Sequence, residues 1–352
     1  MTTWTTDLSG AGTPLTEEQV RLLVTAAGAA PSVHNSQPWA FAPTADRTGL
    51  LVRIDRSRAV PVTDPDGRAL HVSVGAALFD LRVAAERLLG KPESILLPDP
   101  ADPDLAALLR MPTAGTAGKG EQGGVAGECG GLGGLYGAIG RRHSSREPFA
   151  DRDVPEAVLG ELIEAAGREG VRLTVPEEDG VRRVLRLTAE AESRTAADLS
   201  RQAETRSWLR AERSAVDGIP AEALGPLDHE ARVPVRNFAG SPPRSVPTRR
   251  FEALPQLLLF GTGTDGPADW LRTGQALQRV WLLLTTHGLR ASVLHQAVEW
   301  PDTRRQLRDP AEGPGHVQLV LRIGYGPPGR PSPRRPVAEV TAPPCRAGAG
   351  AA

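Results

Sequence analysis

Two short stretches concentrate groups that can do chemistry. Residues 30–39 read Ala-Pro-Ser-Val-His-Asn-Ser-Gln-Pro-Trp. The Asn35 and Gln37 amides can each donate and accept hydrogen bonds beside the backbone of Pro31 and Ser32, a set able to read the edge of a heterocycle. The same stretch also suits a turn that ends a helix, with Gln37 extended because Pro38 follows it. The second stretch is Arg141-Arg142-His143-Ser144-Ser145-Arg146. Guanidinium forks flanked by serine hydroxyls are what a phosphate monoester needs. However, of 41 basic residues only Lys91 and Lys119 are lysines, so arginine is this chain's default cation and spacing alone favours a solvated basic run.

Other chemistries find less support. Gly261-Thr-Gly263-Thr-Asp-Gly266 follows a strand and precedes a helix, the context of a dinucleotide fingerprint, and would make the chain a nucleotide-binding regulator. Against it, Pro267 and Asp269 place the helix start beyond a loop, and no acidic residue closes a second strand about 20 residues on. Gly118 to Gly123 has no strand before it. There is no HExxH, and His71-Val-Ser73-Val-Gly75 lacks the first glycine of a nucleophile elbow. His34, His143 and His295 are scattered and default to structural or hydrogen-bonding roles rather than metal ligation. Cys129 and Cys345 have neither metal nor disulfide spacing.

Composition narrows the class further. With 40% apolar and 24% charged residues over 352 positions, the chain reads as globular. A net charge of -1 offers no field for nucleic acid or an anionic membrane. Aromatics at 4% are too few for base-stacking platforms. No stretch approaches membrane-span length, and the start lacks a basic segment followed by an apolar one, so a cytoplasmic location is expected.

The elements that must position these residues repeat. Thr16-Glu17-Glu18-Gln19 is a capping box. Val20, Leu23, Val24 and Ala27 then share one helical face up to Ala26-Ala27-Gly28. Strands follow at Trp39 to Phe41 and Leu51 to Asp55, then a helix over 70–89 containing Gly75-Ala-Ala-Leu78, then strands near Ile95 to Leu97 and Leu105 to Met111. Residues 112–134 are Gly-rich and polar and predict a flexible linker. Beyond it, a helix opening at Val154-Pro155 closes on Ala165-Ala166-Gly167. Another from about Asp269 carries Gly274-Gln-Ala-Leu277, with strands at Leu254 to Phe260 and His316 to Tyr325. Two landmarks recurring in one order predict two diverged halves, residues 1–111 and 135–340. The second half contains a long irregular insertion at about 208–247, either a functional cover or disordered, and residues 341–352 form a disordered tail.

Taken together, AAPSVHNSQPWAF, RRHSSREPF, GQALQRVWLLLTTHGLRAS and LVLRIGYG with its following RRP resemble the nitroreductase-like flavoprotein family, specifically its Acg-type branch with two fused halves. The resemblance spans Leu15 to about Val340 outside the linker. It implies an α+β nitroreductase-like fold forming a pseudo-dimer within one chain. It also implies FMN as cofactor, NAD(P)H and a small-molecule acceptor as partners, and a lid at about 208–247. In homodimeric members the arginine-serine cluster precedes the first helix and the Pro-Ser-x-x-Asn run follows it, each FMN drawing the two from different subunits. Here the first half keeps only the Asn run and the second only the cluster, so one composite site is complete and its mate is empty. The resemblance assigns the FMN phosphate to Arg142, Ser144 and Arg146, joined by Arg334 and Arg335. It assigns the ring and ribityl region to Pro31, Ser32, Asn35 and Gln37, and the flavin edge to Ala291, Ser292 and Leu294. His295-Gln296 stands where many members carry an acidic residue and glycine. An FMN-sequestering protein with little turnover is the alternative.

Overall fold

The computed structural model describes residues 12–112, 131–212, 214–238, 247–309 and 315–343. The first helix, α1 (Glu17–Gly28), starts at the expected capping box, Thr16 and Gln19 each satisfying the other's backbone amide. Strands β1 (Trp39–Pro43) and β2 (Gly49–Ile54), helix α2 (Arg68–Leu89), and strands β3 (Glu93–Leu96) and β4 (Leu105–Arg110) complete the N-terminal sheet unit. Helix α3 (Glu156–Gly167) and strand β5 (Arg172–Thr174) open the C-terminal unit. After helices α4 (Glu178–Ala197) and α5 (Leu199–Ser207) come strand β6 (Gln256–Thr262), helix α6 (Pro267–Thr286), strand β7 (Arg290–Val293), short helices α7 (Gln296–Glu299) and α8 (Pro301–Leu307), and strand β8 (His316–Gly324). Helix α9 (Val337–Val340) is the last helix of the described residues.

Both four-stranded sheets are antiparallel, and each has the spatial order first, second, fourth, third: β1-β2-β4-β3 and β5-β6-β8-β7. In each, a long helix follows the second strand. These two helices, α2 and α6, cross at the predicted landmarks. A Cβ on Gly75 would lie 2.2 Å from the Leu271 carbonyl oxygen, and one on Gly274 would lie 2.0 Å from that of Val72. Only glycine lets the two backbones approach this closely, which fixes the crossing point.

Alternation along β6 buries both sheet faces. Leu258 and Phe260 pack toward α3 and α6, whereas Leu257 and Leu259 pack toward Val181, Val184 and Leu187 of α4. Helix α4 was not anticipated, because Glu, Arg and Ala dominate its sequence and only this narrow apolar stripe marks it.

The antiparallel pairing of β6 settles the glycine-rich rival. The loop after β6 is closed by Asp265, which accepts from Trp270 Nε1, Gln318 and both terminal nitrogens of Arg304. A parallel βαβ unit, which a dinucleotide fingerprint requires, does not form there.

Two expected boundaries shift. Residues 113–130 of the predicted linker lie outside the described residues, but Leu132–Leu135 form a single 3-10 turn whose leucines pack on the α2 core. Likewise Thr341 bridges Phe41, and the Ala342 amide donates to the Phe41 carbonyl at 2.7 Å. The start of the predicted tail thus extends the edge of β1, and residues 344–352 lie outside the described set.

Candidate functional site

The loop after α1 is held in unusual backbone geometry. His34, Asn35 and Gln37 all have left-handed φ, at 49°, 55° and 53°, a conformation costly for residues with a Cβ. Hydrogen bonds over-determine it. Asn35 Nδ2 donates to the carbonyls of Gly218 and Pro333, and Arg334 donates to Asn35 Oδ1 at 2.8 Å. Gln37 Nε2 donates to the Val216 carbonyl, and Gln37 Oε1 accepts from the Arg335 amide. Both amides are therefore committed to the protein. They tie the loop to the irregular segment near residue 217 and to the C-terminal arm, and a ring edge would find neither free. Ser32 Oγ accepts from the Gln37 amide.

The arginine cluster lies against this loop. Ser144 bridges Ala291, and the Ser145 amide donates to the Ala291 carbonyl at 2.9 Å, zipping the cluster along β7. Arg142 is 3% exposed, stacks 4.8 Å over the Trp281 ring and donates to the Ala29 carbonyl. Arg334 arrives on the C-terminal arm and donates to the carbonyls of Ala29 and Ala30. Arg146 donates to the Ala223 carbonyl and lies 5.4 Å over Phe238. Enclosure pushes the Arg142 and Arg146 guanidinium pKa values down to about 10, and that of Arg334 to about 9. Among the described residues none of the three has a carboxylate within ion-pairing distance, and the Nε atoms of Arg142 and Arg334 are buried without partners. Asp80 on α2 is the carboxyl whose charge acts on Arg142 and Arg334, and burial raises it to about 7. Uncompensated buried cations are costly unless a ligand supplies the anion.

These arginines border a chamber of about 520 Å³ that shares Pro31, Ser32, His34, Ser144, Arg146 and Phe238 with a larger cleft of about 1010 Å³, counted to its open mouth. Val72, Leu277, Trp281 and Leu319 form an apolar wall of the cleft. Val235, Arg236 and Phe238 of the irregular segment also line it, as do Ser292, Leu294 and His295. Asn35 borders the basic chamber. The structure thus gathers Pro31, Ser32, Asn35, Arg142, Ser144, Arg146, Ser292, Leu294 and Arg334. Three of the anticipated residues are not on the walls. Gln37 is 1% exposed and serves as the tie described above, and Ala291 is fully buried within β7. Arg335 faces Asp55 and Glu339 at 3.8 and 3.6 Å, which neutralises it away from the chamber.

Sequence reasoning missed His34 and His295 as cleft residues. His34 Nε2 and both ring nitrogens of His295 are buried without partners. Burial, then Arg236 and Arg146, pushes His34 down to about 3, and burial with Arg68 and Arg236 holds His295 well below the ordinary histidine range. Both imidazoles are neutral at pH 7. Their place inside the motifs was a signal, but whether a ring nitrogen finds a partner is decided by tertiary packing.

Fold and site together define an α+β protein whose anion-receptive chamber opens into an apolar-walled cleft. Residues 139–325 match the model of the nitroreductase family. A Mycobacterium tuberculosis protein named as a candidate NAD(P)H nitroreductase is 32% identical over 333 residues, covering 92% of this chain and 91% of the relative. The acg protein of the same organism, similarly named, is 28% identical over 336 residues, covering 93% and 96%. An uncharacterised protein from that organism is 28% identical over 326 residues, covering 88% and 89%. The chain belongs to the nitroreductase family and is similar to its acg-type members. Among the described residues no helix is long and apolar enough to cross a membrane.

Proposed function

We propose that this chain binds one FMN and acts as an NAD(P)H-dependent oxidoreductase of a small acceptor. The observation that carries the reading is the set of three enclosed guanidiniums, Arg142, Arg146 and Arg334, without carboxylate partners and bordering the chamber that adjoins the cleft. A phosphate there satisfies them, and the attached ring extends along the apolar wall of Val72, Leu277 and Trp281. Ser32 and Ser144 face the junction of the two chambers, and Ser292 and Leu294 line the ring region. When bound, FMN supplies hydride exchange at its ring, so no protein nucleophile is required. The nitroreductase names of the relatives support the donor and reaction class.

The shared strand order and the crossing of Gly75 with Gly274 support reading the chain as two fused halves, with the composite site drawing its loop from one and its arginine cluster from the other. We read the insertion at about 208–247 as a cover, of which residues 213 and 239–246 lie outside the described set. The Asn35 and Gly218 backbone and side-chain bonds, the Arg58 and Arg210 pairs with Asp217, and the Arg146 bond to Ala223 fasten it over the cleft. That fastening favours a second reading, an FMN-holding protein that turns over slowly, because hydride transfer needs near-contact of a nicotinamide with the ring.

Two measurements test these readings. Apoprotein titrated with FMN should bind at most one equivalent per chain, and no binding or near two equivalents refutes the site. Stopped-flow reduction by NADPH should be accelerated by Asp217→Ala, which frees the cover. Fast reduction of the unaltered protein, unchanged in the variant, refutes the cover.

A further inference from the structure

His34 and His295 stand on different segments, the loop after α1 and the end of β7, yet meet in one place. Each lines the cleft, each feels the charge of Arg236, and His295 also feels His34. Arg236 is itself neutralised by a two-pronged bond to Glu299, both contacts 2.8 Å, with Glu192 at 3.7 Å. Phe238 of the irregular segment meets the His34 ring edge-on at 6.3 Å between centroids. His295, Gln296 and Glu299 border the cleft but not the basic chamber, whereas His34 borders both, so the pair runs from the junction of the two chambers into the cleft.

We propose that His34 and His295 are a carbonyl-binding pair that selects the acceptor, hydrogen-bonding an oxygen of a planar, uncharged molecule held under Phe238. Three observations support it. Buried polar atoms are ordinarily satisfied within a fold, and here three ring nitrogens at one place are not. A neutral imidazole has one N–H to donate, and Arg236 beside the pair is already held by Glu299, so the two rings offer donors that are themselves uncharged. The apolar wall and Phe238 suit a flat ring. This inference rests on the FMN reading for what lies in the rest of the cleft.

The test compares an oxygen acceptor with its apolar isostere. FMN-loaded, oxidised protein is titrated with acetophenone, the acetyl compound, and with isopropylbenzene, following the flavin difference spectrum. Unaltered protein should prefer the acetyl compound by about threefold to tenfold, the range of one or two neutral hydrogen bonds. His295→Leu should abolish that preference and raise the melting temperature, because it removes orphaned nitrogens from a buried place. His295→Gln, which restores a donor, should recover part of the preference. In ¹⁵N-histidine spectra, the acetyl compound should shift the His34 and His295 ring resonances. An equal preference in the unaltered protein and His295→Leu overturns the proposal. So does a loss of FMN affinity in His295→Leu that matches the loss of acetyl affinity, which would assign the imidazoles to the cofactor. Failure of the unaltered protein to bind FMN overturns the cofactor reading as well, and unshifted histidine resonances in apoprotein then dismiss the pair independently.

Discussion

Replacing Arg142 with methionine isolates the phosphate contact proposed for it. The guanidinium donates to the Ala29 carbonyl at 3.3 Å and stacks 4.8 Å over Trp281. Losing a desolvated cation–π contact costs about 2 kcal/mol, and losing a hydrogen bond from a charged donor costs about 1.5 to 3 kcal/mol. Removing a cation from a place where it is 3% exposed returns a desolvation penalty of several kcal/mol. These terms oppose each other, and a Met thioether keeps contact with the indole, so apoprotein stability should move by no more than about 2 kcal/mol. The phosphate contact has no such offset. Its loss should cost about 1.5 to 3 kcal/mol, roughly tenfold to 150-fold in affinity, toward the lower end because Arg146 and Arg334 remain. The assay is fluorescence titration of apoprotein with FMN and, separately, with riboflavin, which has the ring but no phosphate. Arg142→Met should weaken FMN and leave riboflavin unchanged. Equal weakening of both would move the phosphate elsewhere, and no weakening of either would return the cluster to a structural role.

His34 gives a signed pH dependence. The folded imidazole titrates at about 3 against 6.5 unfolded, so between those values only the unfolded chain holds the proton. Its contribution is intact above 6.5 and is lost as pH falls, at roughly 1.4 kcal/mol per unit. His34→Asn, which tolerates left-handed backbone, should flatten that slope in urea melts between pH 7 and 5. Asp80 has the opposite sign. Its carboxyl is raised to about 7 from 3.8, so stability present below 3.8 is lost as pH rises through 7. Asp80→Asn should therefore be the more stable protein at pH 8, by on the order of 2 kcal/mol, but not at pH 4. Gly274→Ala places a methyl 2.0 Å from the Val72 carbonyl oxygen and should destabilise by about 3 kcal/mol or more through forced separation of α2 and α6. A melting temperature equal to that of the unaltered protein would refute that crossing.

Local signals were legible and long-range commitments were not. The capping box at Thr16 and the ends of α1 and α3 follow from neighbours in the chain. The repeated glycines of α2 and α6 were visible as landmarks, although their reason, a backbone approach near 2 Å for any added Cβ, was not. The amides of Asn35 and Gln37 illustrate the limit. Their hydrogen-bonding capacity is written in the sequence, but their partners lie about 180 and 300 residues away in Val216, Gly218, Pro333 and Arg335, where no periodicity reaches. Arg334 and Arg335 are neighbours of one type, and only the path of the C-terminal arm decides which one meets Asn35 and which meets Asp55.

Under the two-half reading, a few side chains support the proposal of one site and not two. Aligning Ala26-Ala27-Gly28 with Ala165-Ala166-Gly167 sets Glu169 opposite Ala30, and aligning Gly75 with Gly274 sets Arg279 opposite Asp80 and Arg82 opposite Trp281. At the composite site Ala30 is small, so its carbonyl meets Arg334, and Trp281 carries Arg142. At the equivalent place Glu169, 8% exposed, projects a carboxylate that takes Arg82 and Arg279 at 2.6 Å each, and both guanidiniums lie over Phe79. Both guanidiniums there are already ion-paired, and the space an anion would take holds the protein's own carboxylate. A buried ion pair of this kind is weak evidence for stability, but it engages both guanidiniums with the protein's own carboxylate. The composite site has the reverse arrangement: among the described residues its three guanidiniums have no ion-paired carboxylate, and Asp80, whose charge acts on Arg142 and Arg334, is a carboxyl that burial holds close to neutrality. On the FMN reading, the difference between the units is that a carboxylate already pairs the arginines of one, whereas among the described residues none lies within ion-pairing distance of those in the other, and this favours a single anionic ligand in the chamber that Asn35 and Arg142 border.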